Sequence, residues 1–95
     1  MEISKADMVT SIAGRDQGKL FYVIGTEGVY VLIADGKLRT IEHPKRKKIK
    51  HVRRVTRTES HVAEKLLRGE KVLNSELRRD LAVYRRDHPC QNQGG

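Results

Sequence analysis

The pattern of apolar and polar residues divides the chain into a strand-rich N-terminal half and a helical C-terminal third. Three short apolar runs occupy positions 8–12, 20–24 and 29–34, and glycine or charged residues bound them. Runs of this length that are rich in Val, Ile and Tyr and separated by turn residues are typical of β-strands. The pattern therefore predicts three closely linked strands before position 35.

The dipeptide Asp35-Gly36 directly follows the third run. Asp-Gly between apolar segments is a strong hairpin signal, because both central residues of a type I′ turn need a positive φ. We expect a tight two-residue hairpin here that leads into KLRTIE as the next strand. Beyond Pro44, Ile49, Val52 and Val55 recur every three residues, which fits a helix or an irregular segment as well as a strand. We expect a loop through Lys48 and a strand after it.

Two helices are predicted after position 59. Residues 60–68 place apolar side chains at helical spacing, and Gly69 supplies a C-terminal stop. Asn74 is a good N-cap for a second helix that ends at His88-Pro89. Its apolar face repeats at i, i+4 and i+7, as Leu77, Leu81 and Tyr84.

Four or five short strands followed by two short helices predict a mainly β protein, a small β-barrel with a helical appendage. We divide the chain into a barrel over 1–57, a helical appendage over 58–88 and a disordered tail over 89–95. Neighbouring strand residues point to opposite faces, so Phe21 and Tyr22 are not both expected in the core. The outer one could stack on an unpaired base, although partial burial is the simpler interpretation.

The composition argues against catalysis. A chain of 95 residues with 37% apolar and 4% aromatic content has a modest core and little room for a deep pocket. The four histidines have no metal-binding spacing, and Cys90 is the single cysteine. We expect no catalytic residue, no metal site and no cofactor. The N-terminus does not resemble a signal peptide, and the run VYVLIA is too short to cross a bilayer, so we expect a cytoplasmic protein with no membrane partner.

The excess positive charge is concentrated in one segment. The chain has a net charge of +8, and residues 37–57 contain ten basic residues and one acid, for a net of +9. The remainder is nearly neutral. Such concentration produces a local field suited to polyanions, and cations there would contact phosphates without choosing a sequence. A solvated charged loop is the structural alternative.

The stretch MVTSIAGRDQGKLFYVIG resembles a KOW motif, the strand-loop-strand segment of certain ribosomal proteins and of a transcription factor. Val9 and Ile12 match its first strand, Gly18 its fixed glycine and Lys19 the basic residue that follows. Together with DGKLR and HPKRKKIKH, the similarity extends over about 7–55, to bacterial KOW-domain proteins akin to a large-subunit ribosomal protein of eukaryotes and archaea.

This resemblance implies an SH3-like β-barrel that binds RNA, typically ribosomal RNA, with the ribosome or its proteins as further possible partners. It also favours a strand near positions 50–55. Gly14, Gly18, Asp35 and Gly36 are assigned to turns. The candidate RNA-binding residues are Arg15, Lys19, Lys37, Arg39, Lys45, Arg46, Lys47, Lys48, Lys50, His51, Arg53 and Arg54.

Two other functions stay open. KOW domains can also contact protein, so the chain could be an interaction module of the transcription or translation machinery. The two C-terminal helices could instead form a DNA-binding helix-turn-helix. The connection GEKVLN is longer than the usual three or four residues, however, and residues 60–88 carry only a weak positive charge.

Overall fold

A computed structural model describes residues 3–57 and 60–88. Within these residues, five strands, one short 3₁₀-helix and two α-helices follow one another. They are β1 (Asp7–Ser11), β2 (Leu20–Glu27), β3 (Tyr30–Ala34), β4 (Lys45–Lys48), the 3₁₀-helix (Ile49–His51), β5 (Val52–Arg57), α1 (His61–Arg68) and α2 (Asn74–Asp87). The predicted disordered tail and Cys90 lie outside the described residues.

The five strands form one antiparallel sheet in the order β4-β3-β2-β1-β5. A mainly β domain with two C-terminal helices is thus confirmed. Within the described ranges no ladder joins the edge strands β4 and β5, so the sheet is not closed into a barrel. The three residues of the 3₁₀-helix nevertheless lead directly from one edge strand to the other.

One face of the sheet encloses a core of its own. Six fully or nearly fully buried side chains form it, namely Val9, Phe21, Val23, Val31, Ile33 and Val52. Register shifts after Met8 and after Val23 disrupt the ladders of β1 and β2. Irregularities of this kind bend strands and increase their twist. The register shifts therefore favour a bent sheet on the side of this first core, and the edge strands do not pair.

The two helices cover the opposite face. Leu66 of α1 and Leu77 and Leu81 of α2 pack there against Met8 and Tyr22. Because both faces are covered, the expectation that only one of Phe21 and Tyr22 is buried is wrong: their exposed fractions are 1% and 0%. Alternation does place the two rings on opposite faces, but each face has its own core.

The hydroxyl of Tyr22 joins the central strand β2 to both helices. It donates to Asp80 Oδ2 of α2 at 2.8 Å and lies 3.1 Å from the Oγ of Ser60. Ser60 is also the N-cap of α1, where its Oγ accepts from the backbone N–H of Ala63. A residue in the middle of the sheet thus positions the start of one helix and the middle of the other.

The predicted helices are confirmed, with one difference at the start of α2. Gly69 ends α1 in the left-handed conformation at φ 76°. The second helix begins at Asn74, after Leu73 as its N-cap residue, so Asn74 does not cap it. The Asn74 side chain instead accepts a hydrogen bond from the backbone N–H of Ile41, a contact that the local pattern did not show.

The predicted two-residue hairpin at Asp35-Gly36 is wrong. Gly36 has φ 80°, but Asp35 is not among the residues with positive φ, which a type I′ turn would require. Residues 35–44 form a longer loop, named here the 35–44 loop, and KLRTIE is not a strand. The loop is held from outside its own sequence, because α2 makes hydrogen bonds to Gly36 and Ile41.

The predicted loop through Lys48 is also wrong, since Lys45–Lys48 is the strand that pairs with β3. The strand expected after it is present as β5. Four successive cations are a poor strand by propensity. The pairing is possible because the side chains of Lys45 and Lys47 meet a carboxylate from the loop after β1.

Candidate nucleic-acid interface

The segment between β1 and β2, residues 12–19, is named here the 12–19 loop. Its glycines at 14 and 18 have φ values of 84° and 88°, in the left-handed region that disfavours side chains with a Cβ. Ser11 accepts at its carbonyl from Gly18 N–H and donates from its own N–H to the carbonyl of Lys19. The predicted turn is therefore confirmed, and its two ends are joined.

Asp16 anchors this loop to β4. Its Oδ1 lies 2.8 Å from Lys47 Nζ, and its Oδ2 lies 3.1 Å from Lys45 Nζ. Ser11 Oγ donates to Oδ1 at 3.1 Å, and Lys47 Nζ also donates to the Ala13 carbonyl at 2.8 Å. The carboxylate is thus bound by three donors from two separate parts of the chain.

The pKa of Asp16 is held well below its usual value. Burial of the carboxyl by itself raises the pKa. Hydrogen bonds from Lys47, Lys45 and Ser11, together with the charge of Lys47, lower the pKa by more than burial raises it. Asp16 is therefore an anion throughout the physiological range. It neutralises, inside the fold, part of the basic run, which is the name used here for the cation-rich residues 45–54.

The pleat of β4 separates the basic run into two sets. Lys45 and Lys47 point to the face of the first core, and Lys47 is only 8% exposed. Arg46 points the other way and places its guanidinium 4.5 Å from the centre of the Tyr30 ring. Lys48 is exposed. We leave Lys47 out of the proposed contact surface, because its ammonium group is buried and already bonded.

The 35–44 loop is braced from within and by α2. Asp35 Oδ1 accepts from the backbone N–H of Lys37 and of Arg39, both at 2.9 Å. Arg78 of α2 donates to the carbonyl of Gly36 at 2.5 Å, and Asn74 accepts from Ile41 at 2.8 Å. The helix therefore holds the loop that carries two of the predicted contact residues.

Asn74 also donates to the carboxylate of Glu42 at 2.9 Å. This hydrogen bond, with one from the Glu42 backbone, lowers the pKa of Glu42. The amide of Asn74 thus bridges two neighbouring residues of the 35–44 loop. A single side chain of α2 fixes the position of the loop at its C-terminal end.

The two loops border one open groove of about 410 Å³, named here the loop groove. Four of the predicted contact residues line it, namely Arg15, Lys19, Arg39 and Lys45. Asp16 and Asp35 line it as well, but both accept hydrogen bonds from the protein itself. Phe21 and Leu38 add apolar surface. The structure therefore brings the 12–19 loop, the 35–44 loop and the first residue of the basic run together.

The other predicted contact residues lie outside this groove. His51 and Arg54 are half-buried, and the carbonyl of His51 accepts from the N–H of Ile12, beside the 12–19 loop. Lys50 borders a second groove of about 510 Å³ with Val29 and Ile49. The exposed members of this group are Lys37, Arg46, Lys48, Lys50 and Arg53.

Sequence reasoning missed the residues that position the cations. Asp16 was visible as an acid in a basic loop, and alternation in KRKK would have placed Lys45 and Lys47 on one side, facing a common partner. No local signal pointed to Asn74 or Arg78, because they act on a loop more than thirty residues away in sequence.

Among residues 3–57 and 60–88, no three His, Cys, Asp or Glu side chains are grouped closely enough to hold a metal ion. No helix in the described part of the chain is long and apolar enough to cross a membrane. No protein-family model matches the sequence, and a comparison with curated proteins finds no match either.

Proposed function

We propose that this protein is a non-catalytic RNA-binding protein of the KOW type, with an SH3-like fold, that contacts the phosphates of ribosomal or other structured RNA. The observation that carries the proposal is the concentration of charge. Residues 37–57 hold a net charge of +9, and the exposed cations of this segment continue into the loop groove through Arg15 and Lys19. Cations spread over loops and an edge strand fit a phosphate backbone better than a small ligand.

The fold supports the resemblance at its centre. The KOW-like stretch forms an antiparallel strand pair, β1 and β2, around a loop with left-handed glycines at 14 and 18. Five antiparallel strands with a core on one face suit an SH3-like fold, and the 3₁₀-helix joins its edge strands β4 and β5 in the chain. The motif would present Arg15 and Lys19 on a rigid loop.

A purely structural role explains only part of the basic run. Charged side chains, Lys above all, protect exposed sheet edges from pairing with other chains, and β4 is an edge strand. That role accounts for Arg46 and Lys48. It does not account for Lys37, Lys50 or the groove-lining Arg39, which lie outside β4. Polyanion binding explains the cations on β4 and those outside it by a single function.

The test compares two charge-matched triple variants in binding to a structured RNA such as a ribosomal RNA fragment. Lys48, Lys50 and Arg53 are replaced by Gln in one, and Lys71, Arg79 and Arg85 in the other; all six residues are exposed. We expect the first variant alone to lose about tenfold in affinity and to lower the salt slope by about two units. Equal losses in the two variants would refute a specific surface, and unchanged binding by both would refute the proposed contacts.

A second candidate function rests on the groove beside the 3₁₀-helix. Val29 and Ile49 present apolar surface there, with Lys48 and Lys50 beside it. Apolar surface bordered by lysines suits an acidic protein segment. We therefore propose, as the alternative, an interaction module of the transcription or translation machinery. Partners that remain bound in a pull-down after RNase treatment support this reading, and partners that are all released support RNA binding.

The helices are a weaker candidate for DNA binding. A helix-turn-helix inserts the N-terminal residues of its second helix into the major groove. In this protein the N-terminal part of α2 is occupied, because Asn74 and Arg78 bind the 35–44 loop. The Lys71, Arg79 and Arg85 variant described above tests this function when its binding to duplex DNA is measured, since it removes exposed cations of the helical region. Unchanged DNA binding would refute it.

A further inference from the structure

We propose that the loop groove is a site for one unpaired nucleotide of the RNA, with its phosphate against Arg15, Lys19 and Arg39 and its base against Leu38. This inference rests on the proposed function and makes it more specific. The size of the groove is the first argument. At about 410 Å³ it is at the lower end of ligand pockets, which span about 300–1,000 Å³. A duplex does not enter a space of this size, whereas a nucleotide turned out of a loop or bulge does.

The charge of the groove is the second argument. Arg15, Lys19 and Arg39 are exposed, and within the described part of the chain none of their side chains has a hydrogen-bond or ion-pair partner. Two carboxylates also line the groove, but the charge of Asp16 is already compensated by Lys45 and Lys47. Asp35 is bound by two neutral backbone N–H groups, so it is the one acid in the groove left to offset the three exposed cations. The groove therefore keeps a positive charge that a phosphate would relieve.

The apolar surface of the groove is the third argument, and it separates a nucleotide from a bare phosphate. Leu38 is 71% exposed at the groove, and Phe21 is buried beneath it. A ligand that covers this leucine would therefore gain the free energy of removing apolar surface from water. A base has an apolar face for this contact, and an inorganic phosphate has none.

The rigidity of both walls is the fourth argument. The 12–19 loop is fixed to β4 through Asp16, and the 35–44 loop is fixed to α2 through Asn74 and Arg78. A site on fixed walls loses little conformational freedom on binding, which favours a small ligand with few contacts. The helices thus contribute to binding by positioning the loop and need no contact with RNA.

The experiment measures binding of two fluorescently labelled probes by anisotropy at about physiological salt. One is a single-stranded oligouridine octamer, and the other is a blunt, GC-rich RNA duplex long enough to stay paired at the assay temperature. The test variant is Leu38→Ser, which changes no charge. Leu67→Ser is the matched control, since Leu67 is 64% exposed on α1, away from the loop groove. Thermal unfolding of both variants verifies that each is folded.

We expect Leu38→Ser to weaken octamer binding about fivefold or more and to leave duplex binding unchanged, because only the octamer offers a free base. We expect Arg39→Gln to weaken octamer binding similarly. If Leu38→Ser and Leu67→Ser bind the octamer equally while the Lys48, Lys50 and Arg53 variant loses structured RNA, the nucleotide site is refuted and the proposed function stands. If no RNA binds the wild type, both are refuted. If polyglutamate competes at the groove and its binding depends on Leu38, the site belongs to an acidic protein segment and the proposal is overturned.

Discussion

Replacing Asp16 by Asn tests the ionic contact that joins the 12–19 loop to β4. The amide keeps the shape of the side chain but leaves Lys47, which is 8% exposed, without a counter-ion. Removing one partner of a buried pair costs about 3–5 kcal/mol. Asp16 keeps some access to water, with 12% of its side chain exposed, and Lys47 retains the Ala13 carbonyl. We therefore expect the lower value, a loss of about 3 kcal/mol in the free energy of unfolding.

The loss is large for a domain of this size, whose total stability is about 5–15 kcal/mol. At about 4–8 °C for each kcal/mol, the midpoint of thermal unfolding should fall by roughly 12–24 °C. Urea unfolding followed by circular dichroism measures the free energy directly. A loss below about 0.5 kcal/mol, the usual range of a surface substitution, would show that the contact does not stabilise the fold.

The pH dependence gives an independent test of the same contact. The pKa of Asp16 is lower in the folded protein than its usual value of about 3.9, so the unfolded chain takes up this proton at a higher pH than the folded one. The carboxylate therefore contributes its full stabilisation above about pH 4 to 5 and loses it as the pH falls towards the folded pKa. The difference in unfolding free energy between wild type and Asp16→Asn should narrow on acidification, and a constant difference would contradict the mechanism.

A double-mutant cycle with Lys47→Met separates the charge pair from the packing of the two side chains. Methionine keeps most of the apolar stem of Lys47 and cannot be left as an unpaired charge. We expect the double variant Asp16→Asn/Lys47→Met to lose less stability than the two single losses together, since no charge remains buried without a partner. Additive losses would show that the two residues stabilise the fold separately.

Three further substitutions, and a fourth as a control, test the contacts between sheet, loop and helices. Tyr22→Phe removes a buried hydroxyl that bonds Asp80 and Ser60, and urea unfolding should show a loss of about 1–3 kcal/mol. Ser60→Ala removes the N-cap of α1, and the same assay should show a loss of about 1 kcal/mol or more. Gly36→Ala should lower the free energy of unfolding by over about 2 kcal/mol, because its φ is 80° and the added Cβ would clash with the backbone carbonyl of Asn74. Gly18→Ala, where φ is 88° but the space is open, should lower it by only about 1–2 kcal/mol. Equal losses at the two glycines would contradict the close contact with α2.

Local patterns were sufficient where the local sequence and the tertiary contacts agree. The strands near 8–12, 20–24 and 29–34, the helix from Ser60 to the stop at Gly69 and the left-handed turn at Gly18 are all present. In these segments a local signal, namely an apolar period, a helix cap or a glycine, is enough to specify the backbone conformation. The wrong predictions have the opposite origin. Asp35-Gly36 is a good hairpin dipeptide, but α2 binds the residues around it.

Periodicity and charge are local properties of the chain, and they were enough to predict a mainly β protein with two C-terminal helices and a concentration of positive charge in residues 37–57. How that charge is used depends on tertiary contacts. The strand pleat turns Lys45 and Lys47 towards Asp16 and leaves Arg46 and Lys48 on the other side. Hydrogen bonds from α2 position the 35–44 loop, so that Arg39 faces the same groove as Arg15. The cations that are neutralised inside the fold are those that meet a partner distant in sequence. Neither the periodicity nor the composition of the chain indicates such long-range contacts.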